Sequence, residues 1–172
     1  MLEMKVKGLT LDPLTNMPIV ILKDVEEKKV LPIWVGIFEA NAIALEMEQV
    51  STPRPMTHDL IKNIIEGFKA QVARVVVNDL KDNTFYAVIT INLNGTEVLI
   101  DSRPSDAIAL ALRVNAPIFV AEKVIEEARS IEFAEQQQAA ASEKEGENMP
   151  DSDDWKKWLE NLKPEDFGRY ER

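Results

Sequence analysis

TEVLIDSRPSDAIALALRV, residues 96–114, carries a strand into a helix through one polar corner. Val98, Leu99 and Ile100 make the apolar end of the strand, Asp101, Ser102 and Arg103 the corner, and Pro104 the first helical residue. Proline suits that place because its missing N–H would find no partner in a first turn, and it keeps the preceding residue out of helical geometry. Ser105 and Asp106 then fall where free N–H groups and the positive end of the helix dipole favour oxygen atoms and negative charge. Behind them Ala107, Ile108, Leu110 and Ala111 give the helix an apolar face.

The stretch has an echo upstream. Ala42-Ile43-Ala44-Leu45 repeats Ala107-Ile108-Ala109-Leu110, Asn41 stands where Asp106 stands, and Ile33-Trp34-Val35 falls on Val98-Leu99-Ile100. The matching order of elements around these identities points to an internal duplication.

Outward from the two corners, residues 2–10 alternate as a strand, and Asp12-Pro13 with Asn16 marks a loop. Strands are expected over Pro18–Lys23 and Val30–Val35, the latter ending at Gly36, and a helix over Phe38–Val50. Thr57 is placed to cap a second helix, whose Leu60, Ile61, Ile64, Ile65 and Phe68 share one stripe. The second half repeats the pattern: strands over Val72–Leu80 and Phe85–Leu93, an Asn94-Gly95 hairpin turn, and a strand over Glu97–Ile100. After the helix from Pro104, Ala116–Ala121 is a short apolar segment and Glu122–Ala128 a helix. Three strands followed by two helical segments, twice, predict an α+β fold.

The 172 residues, 45% of them apolar, suffice for one domain with a real core and an appendage. No apolar run approaches membrane-spanning length, and MLEMKVKG lacks the apolar block of a signal peptide. The chain has no cysteine, which excludes disulfides and thiolate metal sites and makes the cytoplasm the expected location. A net charge of −10 argues against broad, nonspecific coating of nucleic acid, though not against a local basic groove. The acidic excess is concentrated beyond residue 130.

The expected organisation is a domain over residues 1–130, a flexible acidic linker over 131–154, and a short amphipathic helix and tail over 155–172. Trp155, Trp158, Leu159 and Leu162 share one face of that helix. They would pack on this protein, on a twin subunit, or on another protein partner. An acidic tail folded over a groove would also compete with nucleic acid.

Three motifs in order, LPIWVGIFEANAIALE (31–46), RPMTHDL (54–60) and RPSDAIALALR (103–113), resemble the bifunctional nuclease domain family over roughly residues 1–130. DDWKKWLENLKPEDF resembles the extension that follows this domain in some bacterial members. The resemblance implies two β3-α2 repeats forming a single barrel-like mixed β-sheet with helices packed outside. It also implies a homodimer and activity on both DNA and RNA.

Phosphodiester hydrolysis needs an activated water, stabilisation of charge on the phosphate, and a proton for the leaving oxygen. Carboxylates holding Mg²⁺ or Mn²⁺, a histidine, and arginines can supply these. The candidates are Asp101, Asp106 and Glu39 as metal ligands, with Asp59 a further carboxylate. His58, the only histidine, is the candidate for moving protons, together with Asp101 and Asp106 as catalytic groups, while Arg54, Arg103, Arg113 and Ser105 are candidates for binding substrate. Each also has a structural reading. Asp106 and Asp59 can complement helix dipoles, His58 can sit idle near a helix start, Arg103 can brace its corner, and Arg113 can face a helix C-terminus. Glycine-rich phosphate loops, zinc ligand sets and basic runs interleaved with aromatics are missing. A noncatalytic dimeric module that recruits a partner through its tryptophan helix is the alternative to a nuclease.

Overall fold

The computed structural model describes residues 1–128; the linker and tryptophan helix expected from the sequence lie outside the described residues. Strands β1 (Leu2–Leu11), β2 (Pro18–Asp24) and β3 (Val30–Trp34) precede helices α1 (Ile37–Met47) and α2 (Thr57–Gly67). Strands β4 (Gln71–Lys81), β5 (Thr84–Leu93) and β6 (Thr96–Ser102) precede α3 (Pro104–Val114) and β7 (Ile118–Val120). Residues 122–128 are helical.

Each half is a three-stranded antiparallel meander, because its loops are too short for anything but hairpins. Asn94 and Gly95 both take positive φ, as do Asp82 and Asn83, so both hairpins of the second meander close through two-residue left-handed turns. The meanders join through β7, which pairs antiparallel with β1 and parallel with β4. The apolar segment at 116–121 is thus the seam of the sheet, too short to announce itself by alternation.

The strand order is β3-β2-β1-β7-β4-β5-β6. This corrects the expected barrel: β3 and β6 are opposite edges and do not pair, so the mixed sheet stays open. Among the described residues, two meanders joined by one three-residue strand have no further strand with which to close. The helices cover one face. Met4, Leu9, Val20, Leu22, Leu31 and Ile33 from the first meander and Val75, Val77, Ala87 and Ile89 from the second meet α1 and α3 in one core.

Helix α3 is buried almost all round, over Pro104, Ser105, Ala107–Ala111 and Arg113, since it packs on α1, α2, β4 and β5 together. Its alanines allow that close approach. It ends at Asn115, whose left-handed φ of 53° closes the last turn. Helix α2 begins one residue earlier than its expected cap: Met56 is the N-cap, and Asp59 Oδ2 accepts the Met56 N–H at 2.8 Å. Its apolar stripe is only partly packed among the described residues. Leu60, Ile61, Ile64 and Phe68 remain exposed and only Ile65 packs on the core, while the buried residue of the helix is His58.

Candidate functional site

Three helix starts meet at one place. Gly36 is the N-cap of α1, with φ −72° and ψ 162°, and Glu39 stands in the first turn. A Cβ on Gly36 would overlap the Glu39 carboxylate, so the glycine leaves room for that side chain to fold back across its own helix start. His58 lies in the first turn of α2 and is 8% exposed. Arg103, the N-cap of α3, is extended, as Pro104 requires, and Asp106 occupies the first turn behind it.

Arg103 is the centre of the group. Its Nε donates to Asp106 Oδ2 at 2.7 Å, Nη2 to Asp106 Oδ1 at 3.2 Å, and Nη1 to Glu39 Oε1 at 2.6 Å. His58 Nε2 lies 3.1 Å from Asp106 Oδ1. Burial pushes the Asp106 carboxyl up, but hydrogen bonds from Arg103 and His58, with the positive charge of the guanidinium, outweigh it and hold the group below the usual range. Donating to Asp106 and Glu39 raises the Arg103 guanidinium still further. A guanidinium has five N–H donors, and these contacts use three of them, so the outer edge of Arg103, whose side chain is 66% exposed, can still bind an anion.

The other candidates separate. Arg113 is 7% exposed and faces inward: Nε donates to Asp59 Oδ1 at 2.7 Å, and Nη1 to the carbonyls of Ala42 and Ala109 at 3.0 and 2.9 Å. It ties α1, α2 and α3 together from within. Burial raises the Asp59 carboxyl, and the Met56 N–H and Arg113 more than reverse it, leaving the pKa lowered. Ser105 is buried beside Arg103. Arg54 is exposed in the loop before α2, and Asp101 is exposed on β6 opposite Val88.

No three histidine, cysteine, aspartate or glutamate side chains gather as a metal group among the described residues. Glu39 and Asp106, the two carboxylates that converge, do so on Arg103, and Asp101 does not join them. Among the described residues the expected Mg²⁺ or Mn²⁺ ligands are therefore not gathered into one group: the cation that Glu39 and Asp106 hold is a guanidinium.

A family profile described as "Bifunctional nuclease domain" matches residues 20–132, which include all three helix starts. The chain belongs to the bifunctional nuclease domain family. An uncharacterized protein of Mycobacterium tuberculosis strain H37Rv is 37% identical over 168 residues, covering 96% of this chain and 97% of its own length. That alignment runs well past the nuclease domain, so the C-terminal region is shared with a bacterial relative. Bifunctional nuclease 1 of rice, Oryza sativa subsp. japonica, is 26% identical over 97 residues, which are 55% of this chain and 29% of that protein. Membership makes this bifunctional nuclease domain a hydrolase of phosphodiester bonds. No helix among the described residues is long and apolar enough to cross a membrane.

Beside the Arg103 cluster of this domain opens a cavity of about 570 Å³, lined by Trp34, Gly36, Phe85, Arg103, Pro104 and Ser105 among others. Trp34 and Phe85 were not candidates from the sequence. The signal available for Trp34 was a large aromatic on the last residue of a strand, two residues before the Gly36 corner.

Proposed function

We propose that this nuclease acts on DNA and RNA at the Arg103 cluster, with Arg103 binding phosphate, His58 moving the proton and Asp106 orienting His58. The convergence of α1, α2 and α3 starts on one guanidinium carries the reading. The activity that names the rice relatives supports the substrate class.

With His58 Nε2 turned to Asp106, Nδ1 is the nitrogen left for proton transfer. It takes a proton from the attacking water, and that proton is then available to the leaving oxygen. Charge developing on the phosphate oxygens meets the two remaining Arg103 N–H groups. The charge balance matters: Arg103, Glu39 and Asp106 sum to one negative charge with neutral imidazole and to none with imidazolium. Phosphate is thus held better once His58 carries its proton. Ser105, in the lining of the cavity beside Arg103, extends the binding surface. No step runs through a metal, because Glu39 and Asp106 answer to Arg103.

The reading includes a homodimer in the cytoplasm. The exposed Leu60, Ile61, Ile64 and Phe68 along α2 suit a second copy as their cover, and a cysteine-free chain suits a reducing compartment. The mass in solution, with Ile64→Lys beside wild type, tests the dimer.

The deciding experiment is cleavage of labelled DNA and RNA by wild type and Asp106→Asn, each with Mg²⁺, Mn²⁺ or EDTA. Wild type is expected to cleave in EDTA, and Asp106→Asn to be about 10²-fold slower while remaining folded by circular dichroism. Cleavage that needs the metal would mean that Glu39 or Asp106 leaves Arg103 for an ion. No cleavage by either protein would transfer the function to a noncatalytic module.

A further inference from the structure

The cavity beside Arg103 is built differently from the cluster it adjoins. Trp34 is 44% exposed at the end of β3, yet its ring is fixed: Nε1 donates to Asp12 Oδ2 at 3.0 Å. That bond is the main reason why the Asp12 carboxyl lies below its usual range. Asp12 is held in turn as the start of a tight loop, accepting the N–H of Leu14 at 2.8 Å. A large aromatic face is therefore presented to the cavity without the freedom to fold away. Phe85, from the β4–β5 hairpin, and Pro104 add apolar surface, and Asn83 and Thr84 bring polar groups from the same hairpin. Among the described residues the one cation in the lining is Arg103, and Asp12 is the one carboxylate.

We propose that this cavity is a subsite for a single unpaired nucleobase, stacked on Trp34, in a strand whose phosphate lies at Arg103. The proposal rests on the nuclease reading above and names the form of substrate it prefers. A chain with net charge −10 cannot hold a polyanion by diffuse attraction, so affinity has to come from one local cation and from contacts that ignore charge. Stacking on a fixed aromatic is such a contact, since every base has a π-face. At about 570 Å³ the cavity has room for a base and its sugar. A base inside a duplex is stacked on both faces and paired along its edge, so it can enter only when unpaired. No basic run with interleaved aromatics announces this platform, because Asp12, Trp34, Phe85 and Arg103 come from four separate segments.

The test uses the full chain and phosphorothioate-linked strands that resist cleavage. Binding of a short oligothymidylate, an abasic strand with the same number of phosphates, and a hairpin duplex is measured by fluorescence anisotropy for wild type, Trp34→Phe and Trp34→Leu. Wild type is expected to bind oligothymidylate about tenfold more tightly than the abasic strand, Trp34→Phe to keep most of that preference, and Trp34→Leu to lose it. Duplex binding should not change among the three. A wild type that does not distinguish the abasic strand, or a Trp34→Leu that weakens all three ligands alike, overturns the subsite. The outcome is independent of the catalytic assignment: a Trp34-dependent base preference together with full cleavage by Asp106→Asn would retain the subsite and discard the role given to Asp106.

Discussion

Helices α1 and α3 start at equivalent corners of the two halves, and they share the sequence Ala-Ile-Ala-Leu, yet they are used in different ways. Helix α1 buries Ala40, Ile43 and Ala44 and has no basic residue in its last turn. Helix α3 buries eight residues and ends on the inward-facing Arg113. At the N-termini the contrast is one of charge. The first corner has a glycine cap and a carboxylate, Glu39, with no cation of its own, whereas the second has Arg103 and Asp106. Glu39 satisfies itself on Arg103 across the junction of the halves. A duplicated corner thus becomes a site when one copy supplies the cation and the other lends it a second carboxylate.

The sharpest way to break this comparison is at the C-terminal end of α3. Arg113→Ala removes a buried cation that joins α1, α2 and α3, and leaves Asp59 without its partner. A loss of about 3–5 kcal/mol is expected in urea unfolding. A small loss would mean that α3 is held by its alanine packing alone.

Next comes His58→Gln, which keeps a polar side chain at the start of α2 but cannot carry the proton. Cleavage should fall by about 10²-fold, with the urea midpoint moved little, if the three helix starts act as one catalytic unit. Equal cleavage by the variant would reduce the convergence on Arg103 to a brace.

Gly36→Ala sharpens the comparison at the first corner. The added Cβ collides with the Glu39 carboxylate and should displace it from Arg103. Cap preference alone costs about 1 kcal/mol, so thermal melting should show a modest loss. Its second effect is on charge: with Glu39 displaced, the cluster loses a negative charge next to the phosphate position. Weaker phosphate inhibition in Gly36→Ala than in wild type would contradict that.

The smallest effect lies in the second half alone. Asp79 on β4 is paired with Lys81 and Lys123 at 2.6 Å each, and hydrogen bonds from Lys123 and then Lys81 lower its carboxyl to about 2. A carboxyl depressed on folding stabilises the fold above its unfolded value of 3.8, and that contribution is lost as pH falls from 3.8 to about 2. Asp106, also lowered, acts in the same direction. Acid unfolding of Asp79→Asn should therefore be less steep over this window than that of wild type.

Much of the fold was legible in the chain. Alternation, the Asn94-Gly95 turn and Pro104 at a first helical position are local signals, and each element they mark is present. One strand and the use of one helix face escaped for physical reasons. β7 has three residues, too few for periodicity to register, although it joins the meanders. The stripe on α2 satisfied the helical pattern, but pattern does not say what covers an apolar face, and among the described residues Leu60, Ile61 and Ile64 stay exposed.

The sequence by itself determined the α+β class, the two-fold repetition, the polar corners and the charged residues that stand at them, because these depend on near neighbours along the chain. Only the tertiary structure decided that the sheet stays open, that Glu39 and His58 come to Arg103 and Asp106 while Asp101 does not, and that Arg113 points into the protein. Those outcomes depend on which elements share a side of the sheet and how closely small residues let helices pack. A guanidinium that finds two carboxylates at 2.6 and 2.7 Å is held by contacts whose partners lie 64 and 3 residues away, and only the nearer one could be foreseen from spacing.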